Sequence, residues 1–228
     1  MPDPTTSPPT RREFLALTAT ALAVPSLGLT AGPARRPDPT TPEAALQALL
    51  DGNARFAAGH PTAPHRDLSR LRETAQGQAP FAAVLTCADS RVPVEILFDQ
   101  GLGDVFVVRN AGNVVSSEEM ASLEFGTLVL GARVLVVLGH SSCGAVKATI
   151  AGGAVPGQIS TIYQHIRPAV DQAGPDLDRV IAQNVRNQAH LLASASPVIA
   201  GLVTERKLLV VGATYDLATG RVTRVATA

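Results

Sequence analysis

Two short reactive segments, each directly after an apolar run, constrain the fold of this chain most. Cys87–Arg91 (CADSR) follows Phe81–Thr86 (FAAVLT), and His140–Cys143 (HSSC) follows Val134–Gly139 (VLVVLG). Apolar runs of this length and composition are typical of strands that are buried on both faces of a parallel sheet. Because ligands of open α/β sheets collect at the carboxyl ends of the strands, we expect both segments at the reactive edge of one sheet.

The two segments contain the only cysteines of the chain, Cys87 and Cys143, together with His140. Thiolates and imidazole suit tetrahedral zinc, and three protein ligands leave a fourth position for water or substrate. His140 and Cys143 are three residues apart, so one turn of backbone can direct both at one metal, whereas Cys87 must come from another strand. Structural zinc sites usually take their ligands from two close local pairs. The arrangement therefore predicts a catalytic zinc, one per chain.

The rest of the chain alternates predicted strands with predicted helices, which indicates an α/β fold with a mostly parallel central sheet flanked by helices. Strands are predicted at 81–86, 105–109, 133–138 and 207–214, with an edge strand at 221–226. A first helix is predicted from Pro42, with a break at 51–53, and further helices at 67–74, 94–98, 116–131, 144–150, 158–172, 176–193 and 197–204. In helix 116–131, Ser117 is predicted to cap the amino end and Leu128 to lie in the core.

The N-terminal segment is predicted to lie outside the fold. Its sequence Thr10–Leu15 (TRREFL) precedes a modestly apolar run, the order found in twin-arginine export signals. The run is shorter than the ~20 residues of a membrane span, so we expect no stable membrane anchor. We predict an export signal over 1–34, a linker over 35–41 and one folded domain over 42–228, in a periplasmic or extracellular protein. The alternative for the N-terminus is a disordered basic tail.

Composition argues against nucleic acid as a partner. The formal net charge of the 228 residues is zero, and no basic stripe with interleaved aromatic residues occurs. Nucleic-acid-binding domains need a basic patch of that kind. We therefore expect a small-molecule substrate.

Three longer motifs resemble the β-class carbonic anhydrases: Cys87–Pro93 (CADSRVP), Gly103–Asn113 (GDVFVVRNAGN) and Gly139–Val146 (GHSSCGAV). The resemblance runs from about Pro42 to about Val222. It implies a zinc lyase, a carbonate dehydratase, in which a zinc-bound hydroxide hydrates carbon dioxide reversibly to bicarbonate and a proton. It also implies an N-terminal helical arm that packs on a partner subunit, in a homodimer or a dimer of dimers.

The resemblance also implies roles for particular residues. Asp89, held by Arg91, stays off the metal and accepts a hydrogen bond from the zinc-bound water. When that clamp is broken, Asp89 becomes the fourth zinc ligand and blocks the site. Gln78 and the backbone amide of Gly144 are implied to bind substrate, with Gln78 often reaching across a dimer interface. From the residues alone, the Asp89–Arg91 pair could equally be an ordinary loop salt bridge, and Gln78 a solvated loop residue.

Two other functions remain compatible with these residues. The same zinc ligands could serve a hydrolase that acts on carbonyl sulfide or carbon disulfide, because the sequence does not reveal the pocket walls. The second alternative is a non-catalytic binding protein with a Cys87–Cys143 disulfide, since exported cysteines often pair. The disulfide hypothesis leaves the Asp89–Arg91 motif without a role.

Overall fold

The computed structural model describes residues 39–226, which are built around a five-stranded sheet. The strands are β1 (Ala82–Cys87), β2 (Val105–Asn110), β3 (Val134–His140), β4 (Leu209–Tyr215) and β5 (Val222–Val225). Their order is β2-β1-β3-β4-β5; β1 to β4 are parallel, and β5 is antiparallel to β4. The predicted α/β fold with a mostly parallel sheet is confirmed.

Helices flank the sheet at most of the predicted places. They are α1 (Pro42–Ala57), α2 (Leu68–Thr74), α3 (Val94–Leu97), α4 (Ser117–Glu124), α5 (Gly144–Ala151), α6 (Ile159–Ala173), α7 (Leu177–Ala195) and α8 (Pro197–Thr204), with a π-helix (Phe125–Val129) directly after α4. Within residues 39–226, no helix combines the length and the apolar character needed to cross a membrane.

Both faces of the sheet are covered, as the apolar strands predict. Every residue of β1 and β3 is buried. One face packs on α1 and α3, with Leu49 and Leu97 in its core. The other packs on α7 and α8, with Leu192 and Ile199 in its core. A double-sided apolar environment fixes these two central strands, and with them the position of the segments that follow.

Helix α1 corrects one prediction, because it continues through 51–53 without a break. Thr41 caps its amino end, accepting a hydrogen bond from the Ala44 amide at 3.1 Å. Gly52 is required where α1 crosses α3, since a Cβ there would lie 1.8 Å from the carbonyl oxygen of Phe98. Asn53 is buried and donates to the carbonyls of Leu97 and Gly220 at 3.0 and 2.9 Å. Tertiary contacts therefore hold two weak helix formers inside the helix.

The helix predicted at 116–131 differs in two respects. Its capping residue is Ser116, not Ser117, and the Ser116 amide donates to the Glu119 carboxylate at 3.1 Å in a capping box. After Glu124 the chain widens into the π-helix, in which the Leu130 amide bonds the Phe125 carbonyl five residues earlier. The wider turn changes which side chains face inward. As a result Leu128, predicted in the core, is 56 % exposed.

The predicted export signal over 1–34 and most of the predicted linker over 35–41 lie outside the described residues. The described residues begin with Pro39 and Thr40 at the end of that linker, and the first helix of the predicted domain begins at Pro42 as predicted.

Candidate metal centre

The three predicted zinc ligands lie together at the point where the sheet order reverses. β1 has β2 on one side and β3 on the other, and the carboxyl ends of β1 and β3 form the crevice in which α/β proteins bind ligands. Cys87 is the last residue of β1 and His140 the last residue of β3. Cys143 is the residue directly before α5. Topology thus unites residues that lie more than fifty positions apart in sequence.

Their donor atoms have the geometry and chemistry of a metal site. The two Sγ atoms and a His140 ring nitrogen all lie within 4.8 Å of one another, and all three residues are buried. His140 Nδ1 donates to the Ser141 carbonyl oxygen at 2.9 Å, which leaves the lone pair on Nε2. Nε2 is itself buried without a hydrogen-bond partner. A buried polar atom left unpaired is costly, and a zinc ion beside the two sulfurs would satisfy it.

The two thiols are electrostatically linked. The pKa of Cys87 is lowered to about 4, chiefly by a hydrogen bond from the Cys143 thiol, with the Gly112 amide adding to the effect and burial opposing it. The same contact with Cys87 raises the pKa of Cys143. The pair therefore holds one negative charge close to a thiol. Zinc binds thiolates, so its binding would release the remaining proton. Both cysteines are free, and no disulfide joins them.

Asp89 and Arg91 form the predicted clamp beside this cluster. Arg91 donates through Nε to Asp89 Oδ1 at 2.9 Å and through a terminal nitrogen to Oδ2 at 2.7 Å. The Arg91 amide also donates to Oδ1, at 3.0 Å. The guanidinium of Arg91 holds the pKa of the Asp89 carboxyl well below its usual range. Asp89 Oδ2 lies 3.8 Å from His140 Nε2, so the clamped carboxylate borders the metal position.

A second arginine holds the backbone of the same segment. Arg109, on β2, donates through Nε to the Cys87 carbonyl at 3.1 Å and through a terminal nitrogen to the Asp89 carbonyl at 2.7 Å. Asn110 bonds both the amide and the carbonyl of Val114 at 2.9 and 2.7 Å. These contacts give Arg109 and Asn110 structural roles in holding the backbone beside the site.

Two buried carboxamides on α7 complete the surroundings and were not predicted. Asn184 Nδ2 donates to the Gly112 carbonyl at 2.9 Å, and the Gly112 amide donates to Cys87 Sγ at 3.3 Å. Gln188 Oε1 accepts from the Val115 amide at 2.9 Å. The available signal was their spacing: polar residues four apart interrupt an otherwise apolar helix face that includes Val180 and Val185.

The two predicted substrate-binding residues lie in different places. Gly144 is the first residue of α5, exposed and adjacent to Cys143, with open space where a side chain would be. Gln78 is exposed and lies four residues before β1, at the end of the strand opposite to Cys87. A strand of six residues spans about 20 Å. Gln78 therefore does not join the metal cluster of its own chain.

Comparisons with known proteins agree with this geometry. A family model described as carbonic anhydrase matches residues 82–222. The carbonic anhydrase of Mycolicibacterium smegmatis is 44 % identical over 191 residues, which cover 80 % of this chain and 93 % of the relative. Carbonic anhydrase 2 of Mycobacterium tuberculosis is 40 % identical over 190 residues, 80 % of this chain and 92 % of the relative.

Comparison with solved structures also finds β-carbonic anhydrases. The Coccomyxa β-carbonic anhydrase in complex with acetazolamide superposes with a TM-score of 0.64 and 30 % identity, covering 79 % of this chain and 86 % of that one. A structure from a study of two tetrameric β-carbonic anhydrases of Sordaria macrospora gives a TM-score of 0.63 with 28 % identity, covering 79 % and 96 %.

Proposed function

This chain belongs to the β-class carbonic anhydrase family, and we propose that Cys87, His140 and Cys143 hold its catalytic zinc. It is a zinc-dependent lyase, a carbonate dehydratase, that converts carbon dioxide and water reversibly into bicarbonate and a proton. The observation that carries the ligand assignment is the unpartnered Nε2 of His140, buried within 4.8 Å of two thiol sulfurs. Bound zinc supplies Lewis acidity that lowers the pKa of water to about 7 and so provides the nucleophile at neutral pH.

Asp89 and Arg91 orient this nucleophile in the proposed mechanism. Held by two guanidinium hydrogen bonds, the Asp89 carboxylate can only accept hydrogen bonds, and its Oδ2 lies beside His140 Nε2. It therefore accepts a hydrogen bond from the attacking water and directs a lone pair at carbon dioxide. The exposed amide end of α5 at Gly144 offers a donor to a substrate oxygen, because the first amides of a helix have no partner within the helix.

The active unit is proposed to be a dimer formed through β2. Within residues 39–226, β2 pairs only with β1, so its other edge has no strand partner there. Exposed apolar side chains flank that edge. Ile96 and Leu102 line a cavity of about 470 Å³ together with Val105. Phe125, which is also exposed, packs against Phe106 of β2. A second copy would cover this surface.

Dimerisation also fits the position of Gln78, which can reach a metal centre only in a partner subunit. Pairing of dimers would give a tetramer, the state described for the two Sordaria macrospora enzymes.

Export by the twin-arginine route is proposed from the order of residues Thr10–Leu15 and the apolar run after them. The protein would then act in the periplasm or outside the cell. Replacing Arg11 and Arg12 by lysine should retain the full-length protein in the cytoplasm of a bacterium that has the twin-arginine translocase. Unchanged export of that variant would exclude the twin-arginine route.

The central test is carbon dioxide hydration by the purified protein from about pH 6.5 to 9, with zinc determined on the same sample. We expect about one zinc per chain, and loss of both zinc and activity in Cys87→Ser. Thiol titration should find both cysteines unreactive until a chelator removes the metal. Zinc without carbon dioxide hydration would direct the search to carbonyl sulfide and carbon disulfide. A protein that contains no zinc and no free thiol would favour the disulfide hypothesis.

A further inference from the structure

A chain of buried hydrogen bonds leads from helix α7 to the sulfur of Cys87. Gln188 Nε2 donates to Asn184 Oδ1 at 3.2 Å, and Asn184 Nδ2 donates to the Gly112 carbonyl at 2.9 Å. The Gly112 amide then donates to Cys87 Sγ at 3.3 Å. Asn184 and Gln188 are 1 % and 3 % exposed, so water does not compete for these bonds.

The bonds fix the orientation of both carboxamides. Gln188 Oε1 accepts from the Val115 amide, so its Nε2 must face Asn184, where it donates to Oδ1. The nitrogen of Asn184 is consequently the atom that faces the Gly112 carbonyl. The two side chains thus bind the loop 112–115 at both of its ends.

The backbone conformation of Gly112, which sets the direction of its amide toward Cys87 Sγ, is tightly constrained. Its φ is +82°, and a Cβ at this position would lie 2.7 Å from Ile166 Cδ1 and 3.2 Å from Ala145 Cβ. The loop backbone therefore packs closely between α5 and α6. The hydrogen bond from Asn184 to the Gly112 carbonyl then orients the Gly112 amide toward Cys87.

We propose that Asn184 is a positioning residue for the metal centre, acting through Gly112 on the donor strength of the Cys87 thiolate. A hydrogen bond to a buried thiolate orients the sulfur and stabilises its negative charge, and mutation of such partners of metal ligands typically costs about 10- to 100-fold in metal affinity or activity. The neighbouring buried positions on this face of α7, Val180, Ile181 and Val185, are apolar, so packing against the sheet by itself does not call for a carboxamide. This inference rests on the proposed zinc ligands.

The test uses the full chain loaded with cobalt(II), whose thiolate-to-metal charge-transfer band reports on the sulfur ligands. Asn184→Leu keeps the approximate shape and removes the donor. We expect a shifted charge-transfer band and zinc affinity, measured by competition with a chromophoric chelator, about 10-fold weaker or more. Leu192→Ala is the matched control, because Leu192 is buried on the same helix in the core and has no polar group. It should lower stability and leave the band unchanged.

The outcomes separate this inference from the metal assignment. A wild-type band and affinity in Asn184→Leu, or an equal shift in Leu192→Ala, would overturn the role of Asn184 while leaving the metal centre intact. If Asn184→Leu fails to fold, Asn184→Ala in the same assay decides. Wild-type protein that shows no charge-transfer band with cobalt would overturn the thiolate ligands, and this inference with them.

Discussion

Asp89 Oδ2 lies 3.8 Å from His140 Nε2, the nitrogen that has no hydrogen-bond partner and that we assign to zinc. Both oxygens of the same carboxylate are bound by Arg91, whose side chain is 55 % exposed. Asp89 is therefore close enough to compete for the metal position, and a single surface arginine keeps it directed elsewhere. Because an exposed side chain can leave at low cost, we expect the clamp to be the part of the site that opens.

Arg91→Ala is expected to lower carbon dioxide hydration by about 10- to 100-fold, because Asp89 loses the contacts that orient it. Zinc content should stay the same, since Arg91 supplies no ligand. Arg91→Lys should give an intermediate loss, because an ammonium group cannot make the bidentate contact. Arg224→Ala removes an exposed arginine from β5 and serves as the control. Full activity of Arg91→Ala at wild-type zinc content would show that the Asp89–Arg91 pair is only a surface salt bridge.

The sequence predicted the parts of the site that depend on strand order and local motifs. Cys87 and His140 end strands whose apolar runs are legible in the sequence, and the parallel sheet brings them together. Cys143 follows His140 closely enough to share the site. The Asp89–Arg91 contact is between near neighbours and was predicted by the resemblance of the whole motif.

Features that depend on contacts between distant elements were missed. The continuation of α1 through Gly52 and Asn53 depends on α3 and on the turn before β5. The role of Asn184 depends on the loop after β2, 72 positions earlier. Neither contact has a local signature, and local preference argued against a glycine inside a helix. The π-helix likewise moved Leu128 to the surface against its apolar periodicity.

Gly112→Ala should destabilise the protein more than Gly131→Ala. Both glycines have positive φ, +82° and +79°, so each alanine incurs a backbone cost of about 1–3 kcal/mol. Only at Gly112 does the new Cβ also collide, with Ile166 Cδ1 at 2.7 Å, whereas no atom lies within 4 Å at Gly131. Urea unfolding of both variants measures the difference, which we expect to reach about 1 kcal/mol or more from overpacking. Equal losses of unfolding free energy in the two variants would show that the Ile166 side chain moves aside without an energetic penalty.

Leu128→Glu is expected to dissociate the proposed dimer. Leu128 lies on the π-helix whose Phe125 packs against β2, and a carboxylate there would be buried without a partner in the interface. Leu191→Glu is the control, since Leu191 is an exposed leucine on α7. Light scattering after size exclusion should find a mass near the 23.6 kDa of one chain for Leu128→Glu only. A multimer in both variants would place the interface elsewhere.

Gln78 can be tested by mixing two defective proteins. If Gln78 serves the metal centre of its partner, Gln78→Ala and Cys87→Ser should each be impaired alone. After joint refolding, half of the dimers are mixed, and one of the two sites in each mixed dimer is complete. Activity should therefore recover to about a quarter of the wild-type value. Mixing Cys87→Ser with Cys143→Ser should recover nothing, because both ligands belong to the same site. No recovery in the first mixture would exclude the exchange of Gln78 between subunits.

The acid stability of the fold should depend on Asp99. This buried carboxylate has φ +49° and accepts hydrogen bonds from Arg55 Nε at 2.7 Å, from the Thr62 amide and hydroxyl at 2.9 and 2.8 Å, and from the Ala63 amide at 2.7 Å. Burial by itself would raise the pKa of Asp99, but these donors outweigh it and leave the pKa below its ordinary value. The folded state therefore favours the charged carboxylate more than the unfolded state does.

A lowered pKa contributes stability above the unfolded value of about 3.9, and this contribution is lost as the pH falls toward the folded value. Asp99→Asn removes the charge and tolerates the positive φ. We expect the variant to be less stable than the wild type in urea at pH 6, with the gap narrowing as the pH falls below about 4. Asp178→Asn removes an exposed carboxylate from α7 and is the matched control. A gap between wild type and Asp99→Asn that stays constant down to pH 3 would show that the Asp99 charge does not couple to folding.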